Sequence, residues 1–293
     1  MTSSNMALLT DRGVVRVTGP DAGKLLQGLI TADFDRFDSQ PALFAGLLTP
    51  QGKILFDFFV VKADDGFLID VARDKAAELA KRLTFYRLRA KATIADVSAD
   101  FDVYALWGAP DLPNPAPAIA YPDPRLPDLG YRLIAPQGTP PAVTTVLAAP
   151  EAYHAHRVGL GMPEGGRDYV LGDTFPHEAL FDQIGGVDFD KGCYVGQEVV
   201  SRMQHRSTAR KRVVPVVGAQ PLPPGEAVKI GEATIGTIGS TDDARGLALL
   251  RIDRVGEARD KGQDVTVDGQ PVRVELPSWI RFEIPSKKNN ADA

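Results

Sequence analysis

The apolar positions along the first hundred residues change period several times, and each change marks an element. Gly13 to Val17 reads as a strand, and after Gly19-Pro20-Asp21 the residues Leu25, Leu26, Leu29 and Ile30 recur at helical spacing. From Pro41 to Asp102 the apolar runs are broken by turns: Ala42 to Leu48, then Thr49-Pro50-Gln51-Gly52, Ile54 to Val61, Asp64-Asp65-Gly66 and Phe67 to Val71. Asp-Gly between apolar strands is a hairpin signal. Asp74 to Phe85 follows as an amphipathic helix with Ala76, Leu79, Ala80 and Leu83 on one face. Ala92 to Val97 and Phe101 to Trp107 read as further strands, so this part of the chain is α+β.

Seven prolines, at 110, 113, 115, 117, 122, 124 and 127, exclude helix and central strand and predict a connection or an edge loop. Glu151 to Val158 reads as a short helix, broken by the glycine-rich stretch after it, and Cys193 to Met203 as the next helix, entered through Lys191-Gly192. From Lys211 on, Val213 to Val217, Thr234 to Ile238, Leu247 to Ile252, Val265 to Val267 and Val272 to Leu276 alternate with Gly, Pro and Asp turns. That pattern predicts a small all-β barrel or sandwich, followed from Ser286 by a polar, disordered tail.

Composition narrows the function classes. A chain of 293 residues predicts roughly two domains, with one or three still open. The net charge of -5 argues against a dedicated nucleic-acid binder. The N-terminal residues carry no secretory pattern and no stretch has the length of a membrane helix, from which a cytoplasmic protein without membrane contact is expected. A single cysteine excludes an internal disulfide and an iron-sulfur or zinc site built from four cysteines of one chain.

That cysteine, Cys193, stands between Gly192 and Gly196, with Lys191 before it and Gln197 and Glu198 after it. A helix start and a nearby ammonium would both favour thiolate, which suits a nucleophile or redox thiol; a small residue at a crowded turn is the competing reading. Glu198 likewise reads either as a functional acid or as a charge suited to the first helical turn. Arg202, His205, Arg206, Arg210, Lys211 and Arg212 form a basic run suited to an anionic ligand or simply to a solvated helix end. His154 and His156, two residues apart on a helix, make a poor metal pair, and no metal site is expected. Gly19 to Lys24 is one residue short of a P-loop, and the glycines at 231, 236 and 239 lack the strand and helix of a dinucleotide fold.

Lys191-Gly-Cys-Tyr-Val-Gly-Gln-Glu198 resembles the K-G-C-[FY]-x-G-Q-E signature of the YgfZ-type folate-binding proteins, a family that includes a mitochondrial iron-sulfur assembly branch. Val17 to Asp33 is similar to that family's N-terminal segment, Leu48 to Lys53 to its strand turn, and Arg157 to Asp168 to the R-x-x-x-G-x-P-E-G stretch of the mitochondrial branch. The wider superfamily is that of the glycine-cleavage T-protein, an aminomethyltransferase.

The resemblance implies a clover-like, three-subdomain α+β fold: residues 1–38 with 120–208 as a discontinuous first subdomain, 39–119 as a ferredoxin-like second, and 209–285 as a terminal β-barrel. It implies tetrahydrofolate or a derivative as ligand, with Asp57, Arg202 and Arg206 as contacts. It also implies iron-sulfur client or assembly proteins as partners, including enzymes that modify tRNA. Cys193 is then a thiolate that meets sulfur, iron or a one-carbon species, Lys191 the cation that lowers its pKa, and Gln197 and Glu198 its orienting groups. The alternative is a tetrahydrofolate-dependent aminomethyltransferase using Asp57. The sequence departs from the T-protein where Gly159 and Phe56 stand in place of acids. A lost charge-assisted hydrogen bond of about 1.5–3 kcal/mol implies folate affinity lower by about tenfold to hundredfold.

Overall fold

The computed structural model describes residues 4–206 and 209–286. The side chain of Arg206 and the tail 287–293, each the subject of an expectation above, lie outside the described residues. The chain forms two compact units, Met1–Tyr153 with Ile184–Gln197 and His154–Gln183 with Glu198–Ala293.

The first unit contains, in chain order, β1 (Asn5–Leu8), β2 (Arg12–Thr18), α1 (Ala22–Gln27), β3 (Ala42–Leu48), β4 (Ile54–Ala63), β5 (Gly66–Ala72), α2 (Arg73–Arg87) and β6 (Thr93–Asp96). It continues with β7 (Phe101–Trp107), β8 (Ile119–Pro122), β9 (Tyr131–Pro136), β10 (Val146–Leu147) and the start of α3 (Pro150–Gly159). One sheet runs β3-β4-β5-β2-β6 and the other β10-β1-β7-β9-β8. The proline-rich segment contributes only β8, at the edge of its sheet, where a missing N–H breaks no inner ladder.

Neither expected inner boundary separates these sheets. β2, from the expected first subdomain, pairs with both β5 and β6 of the second, and β7 pairs with both β1 and β9. Strand pairing over long sequence distances, which local patterns do not reveal, decides where the chain divides.

One face of the β3–β6 sheet carries Val15, Val17, Leu43, Ala45, Leu47, Phe56, Phe58 and Val60, and packs against Leu26, Leu29 and Ile30 from the α1 region and Ala76, Leu79 and Leu83 of α2. The helical spacing of those apolar residues is what turns one stripe of each helix onto the sheet. The opposite face carries Arg12, Phe59 and Asp70, because side chains alternate along a strand and Phe59 lies across from Asp70.

Asp70 accepts from Arg12 Nε (2.7 Å) and from Arg132 Nε and Nη2 (2.8 and 2.6 Å), and Tyr121 donates to it at 3.3 Å. Arg132 lies over the Phe59 ring at 4.3 Å and donates to the Tyr153 hydroxyl; Arg125 does the same while pairing with Asp123. The two sheets therefore meet across a buried polar network in which each charge has a partner, the condition for burying charge at tolerable cost.

In the second unit, α4 (Gln197–Arg206) leads to a closed barrel of β11 (Lys211–Val217), β12 (Ala227–Ile230), β13 (Ala233–Asp242), β14 (Arg245–Arg251), β15 (Val265–Val267) and β16 (Gln270–Val274), in the order β11-β14-β13-β12-β15-β16. Val214, Val216, Val228, Ile238, Ala248 and Leu250 fill its core. β12 and α5 (Ile252–Lys261) were not expected. Ile252, Val255 and Ala258 do recur at helical spacing, but Gly256 interrupts the pattern, and it is glycine because the Pro285 carbonyl approaches where a Cβ would stand.

Burial alone would raise the Asp70 pKa, but the guanidiniums of Arg12 and Arg132, with their hydrogen bonds, hold it below the ordinary carboxylate range. Its contribution to stability is therefore fully present above the unfolded value of about 3.9 and is lost as pH falls through the lower native value. Asp70→Asn is expected to lower urea stability at pH 7 by about 3–5 kcal/mol and to flatten the loss of stability between neutral pH and pH 3.

Candidate functional site

The loop that carries the octapeptide is held by its first residue. Lys191 is buried, and its Nζ donates to the carbonyls of Gln27 (2.8 Å), the last residue of α1, and of Ile30 (2.7 Å) and Ala32 (2.9 Å) beyond it. An ammonium has three N–H donors, and all three are taken. Burial pulls its pKa down to about 8, against the carboxylates of Asp33 and Asp188, which favour the charged form.

The same neighbourhood is tied a second time by Thr31, which is fully buried. Its hydroxyl donates to the Gly186 carbonyl (2.5 Å) and accepts from Gly46 N–H (2.7 Å), while its carbonyl accepts from Asp188 N–H (2.9 Å). Gly46 of β3 lies directly across from Asp57 of β4, so the buried Asp57 belongs to the strand pair that Thr31 anchors.

A third contact closes the arrangement at Gly196. Its φ is +82°, and an added Cβ would stand 2.5 Å from the Thr49 carbonyl oxygen and 3.1 Å from the Gly52 Cα. The turn it meets is closed by Thr49 N–H donating to the Lys53 carbonyl (2.8 Å) and Gly52 N–H to the Thr49 carbonyl (2.8 Å). Segments 27–32, 48–53 and 191–196, remote in sequence, thus pack on one another.

Two expectations about the octapeptide are corrected. The helix begins at Gln197, not at Cys193, because Gly196 adopts a left-handed conformation that a helix cannot continue through. The second is one of role: Lys191 directs its three donors at carbonyls and so tethers the loop, a duty the sequence did not assign to it. Cys193 itself is exposed, and an added Cβ at Gly192 would meet nothing within 4 Å, so the chain beside the thiol opens outward.

Tyr194 contrasts with Cys193. It is 7% exposed, its ring lies 5.2 Å from the Lys191 ammonium, and its hydroxyl is buried without a hydrogen-bonding partner among the described residues. Burial, and then the Asp188 carboxylate, push its pKa well above the ordinary tyrosine value. A buried polar group left unpaired costs about 1–3 kcal/mol.

The basic run does not act as one patch. Arg202 pairs with Glu198 at 2.7 Å, an exposed i,i+4 pair at the start of α4. Arg212 is buried, forks onto Asp182 at 2.9 Å through both terminal nitrogens and lies over Phe282 at 4.4 Å, which makes it part of the second unit's packing. His205, Arg210 and Lys211 remain exposed.

Arg157 and Asp168, the ends of the fourth quoted stretch, also have a packing role that sequence reasoning did not assign. Arg157 is 1% exposed and donates to Asp168 (2.6 Å), to the Met162 carbonyl (3.0 Å) and to Ser240 of β13. Asp168 in turn accepts from the backbone N–H of Ser240 and of Glu164. The pair locks the glycine-rich loop to the barrel. The signal was an arginine and an aspartate bracketing a glycine-rich stretch that needs an internal brace.

Comparison with known proteins now bears on the site. The human iron-sulfur cluster assembly factor IBA57, mitochondrial, is 33% identical over 276 residues, 84% of this chain and 77% of that protein. A Pyricularia oryzae homologue is 30% identical over 95% of this chain and 85% of its own length. The chain belongs to the IBA57 family of iron-sulfur cluster assembly factors. A third IBA57 homologue, from Neurospora crassa, is 34% identical over 76% of this chain; the chain spans 56% of that protein's length. Residues 210–282 match the CAF17 C-terminal beta-barrel domain. The glycine cleavage system aminomethyltransferase T from Bartonella henselae superposes with a TM-score of 0.74 over 95% of this chain and 86% of its own, at 14% identity, which establishes a shared α+β fold.

Membership of the IBA57 family corrects the expected cytoplasmic location, since these relatives are named as mitochondrial. The N-terminal pattern addressed secretion alone and carried no information on other compartments.

Lys191→Met is expected to lower stability by roughly 3 kcal/mol, because it leaves three carbonyls without their charged donor. Gly196→Ala should cost at least about 1–2 kcal/mol from the left-handed backbone alone. Cys193→Ser, at an exposed position, should stay within about 0.5 kcal/mol of the parent. Urea unfolding of the three variants checks this order.

Proposed function

We propose that this chain is an accessory protein for the assembly or repair of iron-sulfur clusters in client [4Fe-4S] enzymes, tRNA-modifying enzymes among them, and that it binds tetrahydrofolate or a derivative. The single observation that carries the reading is the convergence of segments 27–32, 48–53 and 191–196 on a loop that keeps Cys193 exposed. Membership of a family named for iron-sulfur cluster assembly supports it.

In this reading Cys193 is a thiol ligand for a cluster, its iron or its sulfur in transit. One exposed thiol holds a cluster only in company with ligands from elsewhere, so the partner is a protein that supplies the rest. The residues of the first unit suit a folate: Asp57 offers a buried carboxylate on β4, and Tyr194 a buried hydroxyl with no partner of its own, a few polar groups in apolar surroundings. Tetrahydrofolate, when bound, supplies a carrier for one-carbon units. Arg202 is exposed and paired with Glu198 in the second unit, and the proposed folate contacts are those of the first unit alone.

A second reading, a tetrahydrofolate-dependent aminomethyltransferase, is favoured by one observation, the likeness of fold to aminomethyltransferase T. Purified protein assayed with lipoyl carrier protein separates the two, because turnover of the aminomethyl group is expected only in the second.

In a deletion strain, the parent chain is expected to restore client [4Fe-4S] enzyme activity and Cys193→Ala to fall short by at least tenfold. Full restoration by Cys193→Ala removes the thiol from the function. In calorimetry, Asp57→Ala is expected to weaken tetrahydrofolate binding by roughly tenfold.

A further inference from the structure

The Tyr194 ring is accounted for by packing, but its hydroxyl is not. The ring is buried and lies beside the Lys191 ammonium, contacts that a phenylalanine would make equally well. The hydroxyl adds a polar atom that is removed from water and has no hydrogen-bonding partner among the described residues. Such groups are rare in folded chains, because desolvation goes uncompensated.

The Lys191 ammonium does not satisfy it, and the Asp188 carboxylate, near enough to act on its pKa, accepts no hydrogen bond from it. Lys191 has no lone pair, and its three N–H groups are directed at the carbonyls of Gln27, Ile30 and Ala32. Toward the thiol the loop opens: Gly192 and Cys193 are exposed, and among the described residues no other atom lies within 4 Å of where a Gly192 Cβ would stand. A buried, rigid, unpaired hydroxyl therefore sits one residue from the exposed part of the loop.

We propose that the Tyr194 hydroxyl is a specificity-determining contact for the bound folate, made to a hydrogen-bonding edge of its heterocycle. The inference rests on the folate reading above and assigns this contact to one atom. A phenol both donates and accepts one bond at a fixed position, and a pterin edge presents ring nitrogens, an amino group and a carbonyl oxygen that can answer either.

Tyr194→Phe tests this in the full chain, with 5-formyltetrahydrofolate as probe. The free variant is expected to melt at the same temperature as the parent or higher, since it deletes an unpaired buried group, while its affinity for the probe falls roughly three- to tenfold. If parent and variant bind equally, the proposal fails and the folate reading stands. If the free variant melts lower, the hydroxyl is bonded in the free protein, for example to an ordered water only, and the proposal fails. If the parent does not bind the probe, the folate reading fails and takes the proposal with it.

Discussion

The arrangement depends on one ammonium group. Lys191 reaches from the octapeptide loop to three carbonyls in the residues around and beyond the end of α1, and it is buried while doing so. Nothing but a cation with three donors completes that triangle, and the carbonyls would otherwise be polar atoms held away from water. Thr31 and Gly196 make the attachment specific, the first through its hydroxyl and carbonyl and the second by leaving room for the Thr49 carbonyl. Cys193 and Tyr194 are carried on a loop fixed at both ends.

Much of this first unit was legible. The apolar runs of β3 and β7 lie where the pattern put them, and the stripe Ala76, Leu79 and Leu83 does face the core. The octapeptide was legible as a motif and its residues as a cluster, but not what they do. A lysine beside a cysteine in sequence suggests a thiolate pair; only the fold shows that the lysine is directed at carbonyls that lie more than 150 residues earlier in the chain. The start of α4 was misplaced for a similar reason, since Gly196 is left-handed to let a remote turn approach. β1 and β9, unmarked by local pattern, are defined by pairing with β7.

The four stretches that carry the family resemblance divide by role. Arg157 and Asp168 brace a loop against the barrel, and Lys191, Gly196 and Thr31 assemble the first unit. Outside these structural duties stand the exposed sulfur of Cys193 and the hydroxyl of Tyr194.

Lys191 holds three distant segments as one body. Amide hydrogen exchange in the parent and in Lys191→Met tests it most directly, at Thr31, Gly46 and Asp188, whose N–H groups are hydrogen-bonded within this assembly. The account predicts that all three exchange faster together in the variant, by a common factor, while the amides of the β7–β9 ladder stay protected. Unchanged protection at Gly46 and Asp188, with loss confined to the residues next to position 191, would contradict it.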